Sequence, residues 1–341
     1  MQLKPKEYYI NGVLERKRRI IARTITLIES RNPKYEKFGN EILESLLSHT
    51  GKSIRLGISG IPGVGKSTFI EKFGLNLIEQ GKKVAVLAVD PSSQISGGSI
   101  MGDKTRMNEL SANTNSFIRP SPSSGSLGGV ARKTRETMLI CEAAGYDIIL
   151  IETVGVGQSE VMVSSMVDFF LVMMLPNTGD ELQGIKKGIM EFADSIVINK
   201  ADGENINAAK VAKRQFENVL HILSNKNEGN WEPRVLTCSS VKGAGIQDVI
   251  DAVMEHRDIM SKSGALEEHR KTQRKEWMWN ILQEGLQSMF KRNKEIYSLI
   301  EELENKVLSG EMTPTNAASL ILDRFMEKVS KADTLWDLIN Y

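Results

Sequence analysis

The sequence predicts an α/β fold: a mostly parallel sheet covered by helices on both faces, with purely helical extensions at the N- and C-terminal ends. Three observations predict it. Between Lys52 and about Arg257, short, nearly continuous apolar runs alternate with amphipathic stretches, the pattern of strands that crossover helices bury on both sides. Before and after that region, apolar residues recur at helical spacing alone. The first apolar run, Ile54–Ser59, leads straight into the glycine-rich Gly60-Ile61-Pro62-Gly63-Val64-Gly65-Lys66-Ser67 and then into a helix-like stretch from Thr68.

The elements follow in order. From about Glu7 to Ser48 the apolar positions Ile10, Val13, Leu14, Ile20, Ile21, Ile25, Leu27 and Ile28, then Ile42, Leu43, Leu46 and Leu47, trace two helices. Asn32-Pro33 divides them, and Asn11-Gly12 delays the start of the first. The middle region predicts strands at Ile54–Ser59, Lys83–Val89, Ser116–Arg119, Asp147–Ile151, Asp168–Leu175, Ser195–Asn199 and Arg234–Thr237. Helical patterns lie between them at Lys66–Glu79, Val130–Ala144, Ile206–Leu223 and Ile246–His256. Beyond Ser261 the pattern is helical again: Leu266 to Phe290, a break at Ser309-Gly310, and a helix from Thr313-Pro314 to Val329. The domain organisation expected is 1–51 as an N-terminal helical extension, 52–258 as the sheet domain and 259–341 as a C-terminal helical arm.

Composition excludes several classes. Lys+Arg 44 against Asp+Glu 43 leaves a formal charge of +1, without the basic excess of a protein built to hold nucleic acid. The longest apolar runs, such as Phe169 to Leu175, are strand-length, so no membrane partner or span is expected. Cys141 and Cys238 are far apart and have no metal-ligand spacing, which suits packed thiols in a reducing compartment. The N-terminus shows no signal-peptide apolar core, and a cytoplasmic location is the default expectation. His269-Arg270-Lys271 with Arg274-Lys275 reads as a solvated basic face.

The chemistry concentrates at the ends of the predicted strands. Gly60–Ser67 has the spacing G-x-x-x-x-G-K-S between strand and helix. Its glycines let backbone N–H groups turn toward a phosphate, and the helix N-terminus favours negative charge. Gly60, Pro62, Gly63, Val64, Gly65 and Thr68 thus line a phosphate cradle. Lys66 is placed to reach the β- and γ-phosphates, and the Ser67 hydroxyl to ligate Mg²⁺. Asn199-Lys200-Ala201-Asp202, after the strand at Ser195, has the N-K-x-D pattern. The Asp202 carboxylate can accept from N1–H and the 2-amino group of guanine, donors that adenine lacks on that edge. The Lys200 stem can cover the base, and Asn199 can brace the loops. Ser239, Ser240 and Val241, after the last strand, lie in a T-C-S-S-V-K-G-A-G-I run like the S-A-x-x-G-x-G-I element that meets guanine O6 through a backbone N–H; the alanine position is Ser240 or Ser239. GTP and GDP with Mg²⁺ are the expected ligands.

Glu152-Thr153-Val154-Gly155 ends another strand. Glu152 brings an acid to the Mg²⁺ side, the longer Glu suiting contact through a water, and Gly155 lets its N–H approach the γ-phosphate. Val156 stands where Ras-like enzymes have a water-positioning glutamine, which predicts slow unassisted hydrolysis. Asp90 and Asp103 can hold Mg²⁺ or its waters and Arg106 can sense phosphate charge; read from the residues alone, each is equally an ordinary loop charge. Asn177 to Gly188 reads either as a solvated connector or as a conformational loop on the ligand side of the sheet.

Taken together, Gly60–Ser67, Asp90-Pro91-Ser92-Ser93, Gly97–Met107, the E-T-V-G-V-G-Q-S-E run from Glu152 to Glu160 and the G-D-E-L-Q-G-I-K-K-G run from Gly179 to Gly188 closely resemble the MeaB/ArgK GTPases, over nearly the whole chain. The resemblance implies a P-loop GTPase fold, a homodimer joined by its C-terminal helices, and GTP-gated delivery of adenosylcobalamin to an acyl-CoA mutase such as methylmalonyl-CoA mutase, with protection of the loaded mutase. It implies that Lys66, Ser67, Asp90, Asp103 and Glu152 serve the Mg²⁺ and catalytic region. Asp180, Gln183 and Lys186 fall in the segment that relays the nucleotide state to the mutase. The alternative function is a metallochaperone-type GTPase for metal-centre assembly, which needs a Cys/His cluster near the nucleotide. His49, His221, His256 and His269 with the two cysteines form no such cluster in sequence.

Overall fold

The computed structural model describes residues 3–30, 32–89, 107–120, 127–153, 158–176, 187–223 and 231–331. The chain divides into two compact units, Met1–Gln273 and Arg274–Tyr341.

The first unit opens with helices α1 (Lys6–Leu14), α2 (Arg18–Ile28) and α3 (Pro33–Leu46). Two helices were expected here, and the extra break has a local cause. The chain turns at Arg16, whose φ of 54° is left-handed. Gly12 makes the turn tight, since a Cβ on it would lie 2.4 Å from Ile20 Cδ1. Asn32 then caps α3, accepting from Lys34 N at 3.0 Å, with Pro33 at the first helical position.

The seven expected strands form one sheet: β1 (Ile54–Gly60), β2 (Val84–Val89), β3 (Ser116–Pro120), β4 (Ile148–Thr153), β5 (Phe169–Met174), β6 (Ser195–Ile198) and β7 (Arg234–Thr237). The order is β3-β2-β4-β1-β5-β6-β7, and every pairing is parallel. All C-terminal strand ends therefore share one edge, which is where ligands bind in open α/β sheets. The connecting helices are α4 (Lys66–Glu79), α5 (Asn108–Ala112), α6 (Leu127–Ala143), α7 (Gln158–Ser164), α8 (Lys187–Met190), α9 (Ile206–Leu223) and α10 (Ile246–Lys262).

The sheet separates two apolar layers. On one face Leu56 and Ile58 of β1 pack with Phe69, Phe73 and Leu77 of α4 and Val249 and Val253 of α10. On the other, Leu87, Ile149 and Phe170 join Ile21, Ile25 and Ile28 of α2, Ile140 of α6 and Phe216 of α9. The N-terminal helices are thus part of the core of this face. The burial follows from central strands that carry apolar residues toward both faces, so neither face can be left to water.

Helix α11 (Ala265–Arg292) crosses the boundary between the units, and α12 (Lys294–Leu308) and α13 (Pro314–Lys331) complete the second. Asn293 opens α12 by accepting from Ile296 N at 3.1 Å. Within this unit the rings of Phe290 and Phe325 lie 4.5 Å apart, and Glu295 pairs with Arg324 and Lys328. Met278, Trp279, Leu282 and Leu286 are exposed on α11.

Lys271, Arg274 and Lys275 are exposed, as a solvated basic face requires, but Arg270 within the same run is not part of that face. Arg270 is 3% exposed. Its Nε and one terminal nitrogen donate to the two carboxylate oxygens of Asp168 at 2.7 and 2.6 Å, and its nitrogens also reach Gly51 O and Ser53 O. Arg55 lies beside it and bonds both oxygens of Glu142 at 2.8 and 3.1 Å. A guanidinium can be buried at this depth because its fork fits a carboxylate and its remaining donors find carbonyls.

Candidate functional site

The phosphate loop begins at the last residue of β1. Gly60, Gly63 and Gly65 have φ values of 152°, 77° and 96°. At two of them space as well as φ demands glycine: a Cβ on Gly60 would stand 2.5 Å from Met173 O, and one on Gly65 would stand 2.8 Å from Asn199 Nδ2. Gly65 then caps α4, leaving the amides of that helix's first turn without intrahelical acceptors. Pro62, Gly63 and Thr68 are exposed, Val64 is buried beneath the loop, and Lys66 and Ser67 are half-buried at its mouth.

Lys66 Nζ donates to Gly60 O at 2.6 Å and lies 3.4 Å from Ile61 O. Burial holds its pKa below the ordinary lysine value, and the carboxylates of Glu152 and Glu160 oppose that shift. The ammonium therefore sits where added negative charge is favourable. Ser67 Oγ donates to Glu152 Oε1 at 3.3 Å. Glu152 is 5% exposed and lies at the end of β4, with Ile58 of β1 opposite it in register. Ser67 and Glu152 together offer hydroxyl and carboxylate oxygens on one side of the loop. This is a hard, all-oxygen donor set of the kind that Mg²⁺ prefers.

The second half of the site lies at the ends of β6 and β7. Asn199 is 1% exposed, and its amide links the two halves. Nδ2 donates to Val64 O of the phosphate loop at 2.8 Å. Oδ1 accepts from the backbone N of Ser240 at 3.0 Å, from Ser240 Oγ at 2.8 Å and from Cys238 Sγ at 3.4 Å. Lys200 adopts a positive φ of 59° and donates from Nζ to Gly63 O at 2.9 Å. Its aliphatic stem thus spans from the N-K-x-D turn back to the phosphate loop. Asp202 accepts from Ser239 Oγ, and Ser239 Oγ in turn accepts from Lys242 N at 3.1 Å. Val241 is 76% exposed at the rim. Gly245 closes the turn with φ 73°, where a Cβ would meet Thr237 O at 2.2 Å.

The fold therefore brings together Gly60, Pro62, Gly63, Val64, Gly65, Lys66, Ser67, Thr68, Glu152, Asn199, Lys200, Asp202, Ser239, Ser240 and Val241 at one edge of the sheet. Asp90, Asp103, Arg106, Gly155, Asp180, Gln183 and Lys186, and Val156 with them, lie outside the described residues. Three side chains enter the site without having been singled out for a role. Glu160 is 1% exposed and shares the Lys66 charge with Glu152. Ser59 and Thr153 are fully buried and hydrogen-bonded to each other at 3.0 Å. For Ser59 the available signal is a polar residue directly before the glycine that opens the phosphate loop. Among the described residues, no group of three or more His, Cys, Asp or Glu side chains is placed to hold a metal ion.

The arrangement can hold a phosphate chain on the backbone of one loop and a purine between two others, with Asn199 fixing the distance between them. Comparison with known proteins gives it a family. The profile of the methylmalonyl-CoA mutase-associated GTPase MeaB family matches residues 21–295. GTPase ArgK of Escherichia coli is 49% identical over 269 residues, covering 79% of this chain and 81% of that protein. The mitochondrial methylmalonic aciduria type A homolog of Mus musculus is 47% identical over 327 residues, covering 93% and 79%. A crystal structure described as a LAO/AO transport system kinase superposes with a TM-score of 0.79 at 36% identity, covering 95% of this chain and all of that one. The chain belongs to the MeaB family of P-loop GTPases, and its activity is hydrolysis of GTP.

Proposed function

We propose that this protein is a Mg²⁺-dependent GTPase chaperone whose nucleotide state gates adenosylcobalamin loading into an acyl-CoA mutase, and which protects the loaded mutase. The observation that carries the reading is the Asn199 brace. One buried amide holds both the phosphate loop, through Val64, and the guanine-side loop, through Ser240. Base recognition and phosphate geometry are thereby coupled through one side chain. The family to which the chain belongs supports the mutase as client.

In this reading Asp202 accepts from guanine and Lys200 covers the base. The loop amides and Lys66 hold the β- and γ-phosphates. Ser67 and Glu152 would hold Mg²⁺, joined by Asp90 and Asp103; when bound, the ion neutralises charge shared by the β- and γ-phosphates. Lys66 leaves its carbonyl partners for the phosphates, because an anion is a stronger partner for a half-buried ammonium than a carbonyl. The chemical step is attack by water in line with the leaving oxygen, and positioned charge supplies most of the acceleration. The same reading assigns Gly155 and Arg106 to the γ-phosphate, and Asp180, Gln183 and Lys186 to passing the nucleotide state to the mutase.

The helical region 259–341 serves as a dimerisation arm. The exposed Met278, Trp279, Leu282 and Leu286 on α11 support self-association through an apolar stripe. The protein works in the cytoplasm, where its two free cysteines remain thiols. No helix among the described residues is long and apolar enough to cross a membrane.

The test is binding of purified methylmalonyl-CoA mutase to the full-length protein with GDP, with a non-hydrolysable GTP analogue and with no nucleotide. The proposal expects affinity, and the rate of adenosylcobalamin transfer, to differ between the GDP and analogue forms. No complex in any state, or identical affinity and transfer in all three, would overturn it.

A further inference from the structure

The buried hydroxyl pair at the ends of β1 and β4 does more than fill space. Thr153 Oγ1 donates to Ser59 Oγ at 3.0 Å, and both residues are fully buried. Most of the residues around them in these strands are apolar: Ile54, Leu56 and Ile58 in β1, and Ile148 through Ile151 in β4. A buried hydroxyl pair adds little net stability, because two apolar groups of the same shape can replace it almost neutrally. What it does fix is geometry, since a hydrogen bond sets distance and direction where apolar contact sets neither.

Its position shows what is fixed. Ser59 is bonded in sequence to Gly60, whose carbonyl accepts from Lys66 Nζ at 2.6 Å. Thr153 is bonded to Glu152, whose carboxylate accepts from Ser67 Oγ at 3.3 Å. Thr153 also stands opposite Val89 at the end of β2, on the other side of β4. The regular β1–β4 pairing runs from Ile54 and Ile148 to Ile58 and Glu152. The hydroxyl pair is the next step of that register, at the point where the phosphate loop leaves the sheet.

We propose that Thr153 is a positioning residue for GTP hydrolysis. Through Ser59 it clamps the ends of β1 and β4, so that the Glu152 carboxylate keeps its place beside Ser67 and Lys66 when a charged phosphate chain enters. The inference rests on the reading of Glu152 as a phosphate-side acid. It predicts an effect on the chemical step and not on guanine binding, which depends on loops at β6 and β7. A clamp loosened by a fraction of an ångström slows a reaction that needs alignment while leaving affinity in place.

The test is single-turnover GTP hydrolysis beside GDP affinity for Thr153→Val, Thr153→Ser, Ser59→Ala and Glu152→Gln in the full-length protein. Thr153→Val keeps the shape and removes the hydroxyl. It is expected to slow hydrolysis roughly ten- to a hundred-fold, with GDP affinity within about two-fold of the parent. Thr153→Ser restores the rate, and Ser59→Ala matches Thr153→Val. If Thr153→Val does not fold, Ser59→Ala makes the same test. Parental hydrolysis in both hydroxyl-free variants, a Thr153→Ser variant as slow as Thr153→Val, or a loss of GDP affinity as large as the loss of rate would overturn the proposal. Glu152→Gln separates the two readings. If it is slow while Thr153→Val is not, only the clamp fails. If it hydrolyses normally, the role of Glu152 fails and the clamp with it.

Discussion

The two ends of the sheet handle buried polarity in opposite ways. At the N-terminal ends of β1 and β5, Arg270, Asp168, Arg55 and Glu142 form a network of bidentate pairs, with spare donors taken up by Gly51 O and Ser53 O. At the C-terminal ends, the polar groups hold one another through exchangeable contacts. Lys66 rests on carbonyls, Ser67 on Glu152, and Asp202 on Ser239. The first network is directed wholly inward. The second presents an ammonium, a hydroxyl, a carboxylate and a helix N-terminus toward one mouth. Buried charge by itself therefore does not mark a site in this protein; what matters is whether the groups can exchange their partners for a ligand.

Arg270→Met is the most severe test of that contrast. It leaves the Asp168 carboxylate in the core without its forked partner, which is expected to destabilise the fold by about 3–5 kcal/mol. Denaturant unfolding measures this. Protein that remains folded should keep its preference for guanine over adenine nucleotides. A change in base preference would erase the distinction between the two ends.

Lys66→Ala should do the reverse. The variant is expected to lose about a hundred- to a thousand-fold in hydrolysis, as when one preorganised charge-stabilising donor is removed. Its unfolding midpoint without nucleotide should stay close to that of the parent, because Lys66 is only half-buried and its present partners are backbone carbonyls and not a charged group. Single-turnover assays and thermal melts in the same buffer make the comparison.

Acid titration sharpens the inert end further. His256 packs edge-on against Phe169 and Trp231, and burial lowers its pKa to about 4. The folded state keeps it neutral while the unfolded chain protonates near pH 6.5, so the unfolded state binds more protons between those values. Stability from this group is full above about pH 6.5 and falls as pH drops toward 4, by up to about 1.4 kcal/mol per pH unit. Asp168 behaves differently. Burial would raise its pKa, but the hydrogen bonds and charge of Arg270, with Arg55, outweigh that and hold it below the ordinary carboxylate value. Its contribution is present above the unfolded value and disappears only as pH falls through the lower folded one. The difference in unfolding free energy between the parent and His256→Phe, measured from pH 7 to 4, should show the histidine slope.

Much of this architecture was legible in the sequence. The strands are mostly apolar runs between polar stretches, so their positions come out within a residue or two of the observed ones. The phosphate loop was legible because its backbone geometry demands glycine where Met173 O or Asn199 Nδ2 leaves no room for a Cβ. The Arg16 turn was missed because a left-handed arginine has no compositional mark. The buried state of Arg270 was missed because a charged run on a helix reads the same whether its partner is water or an aspartate a hundred residues away. Thr153 and Ser59 escaped notice for a similar reason: their pairing is a property of register between β1 and β4, and no local pattern carries it.

The most direct test of the account is competition between GDP and xanthosine diphosphate for the parent protein and for Asp202→Asn. The account predicts that the parent prefers GDP and rejects ADP. The variant should lose affinity for GDP, gain affinity for the xanthine nucleotide, and still bind phosphate through an unchanged loop. An Asp202→Asn variant with the parent's preference for GDP would contradict the assignment of the guanine pocket, and with it the link through Asn199 on which the proposed function rests.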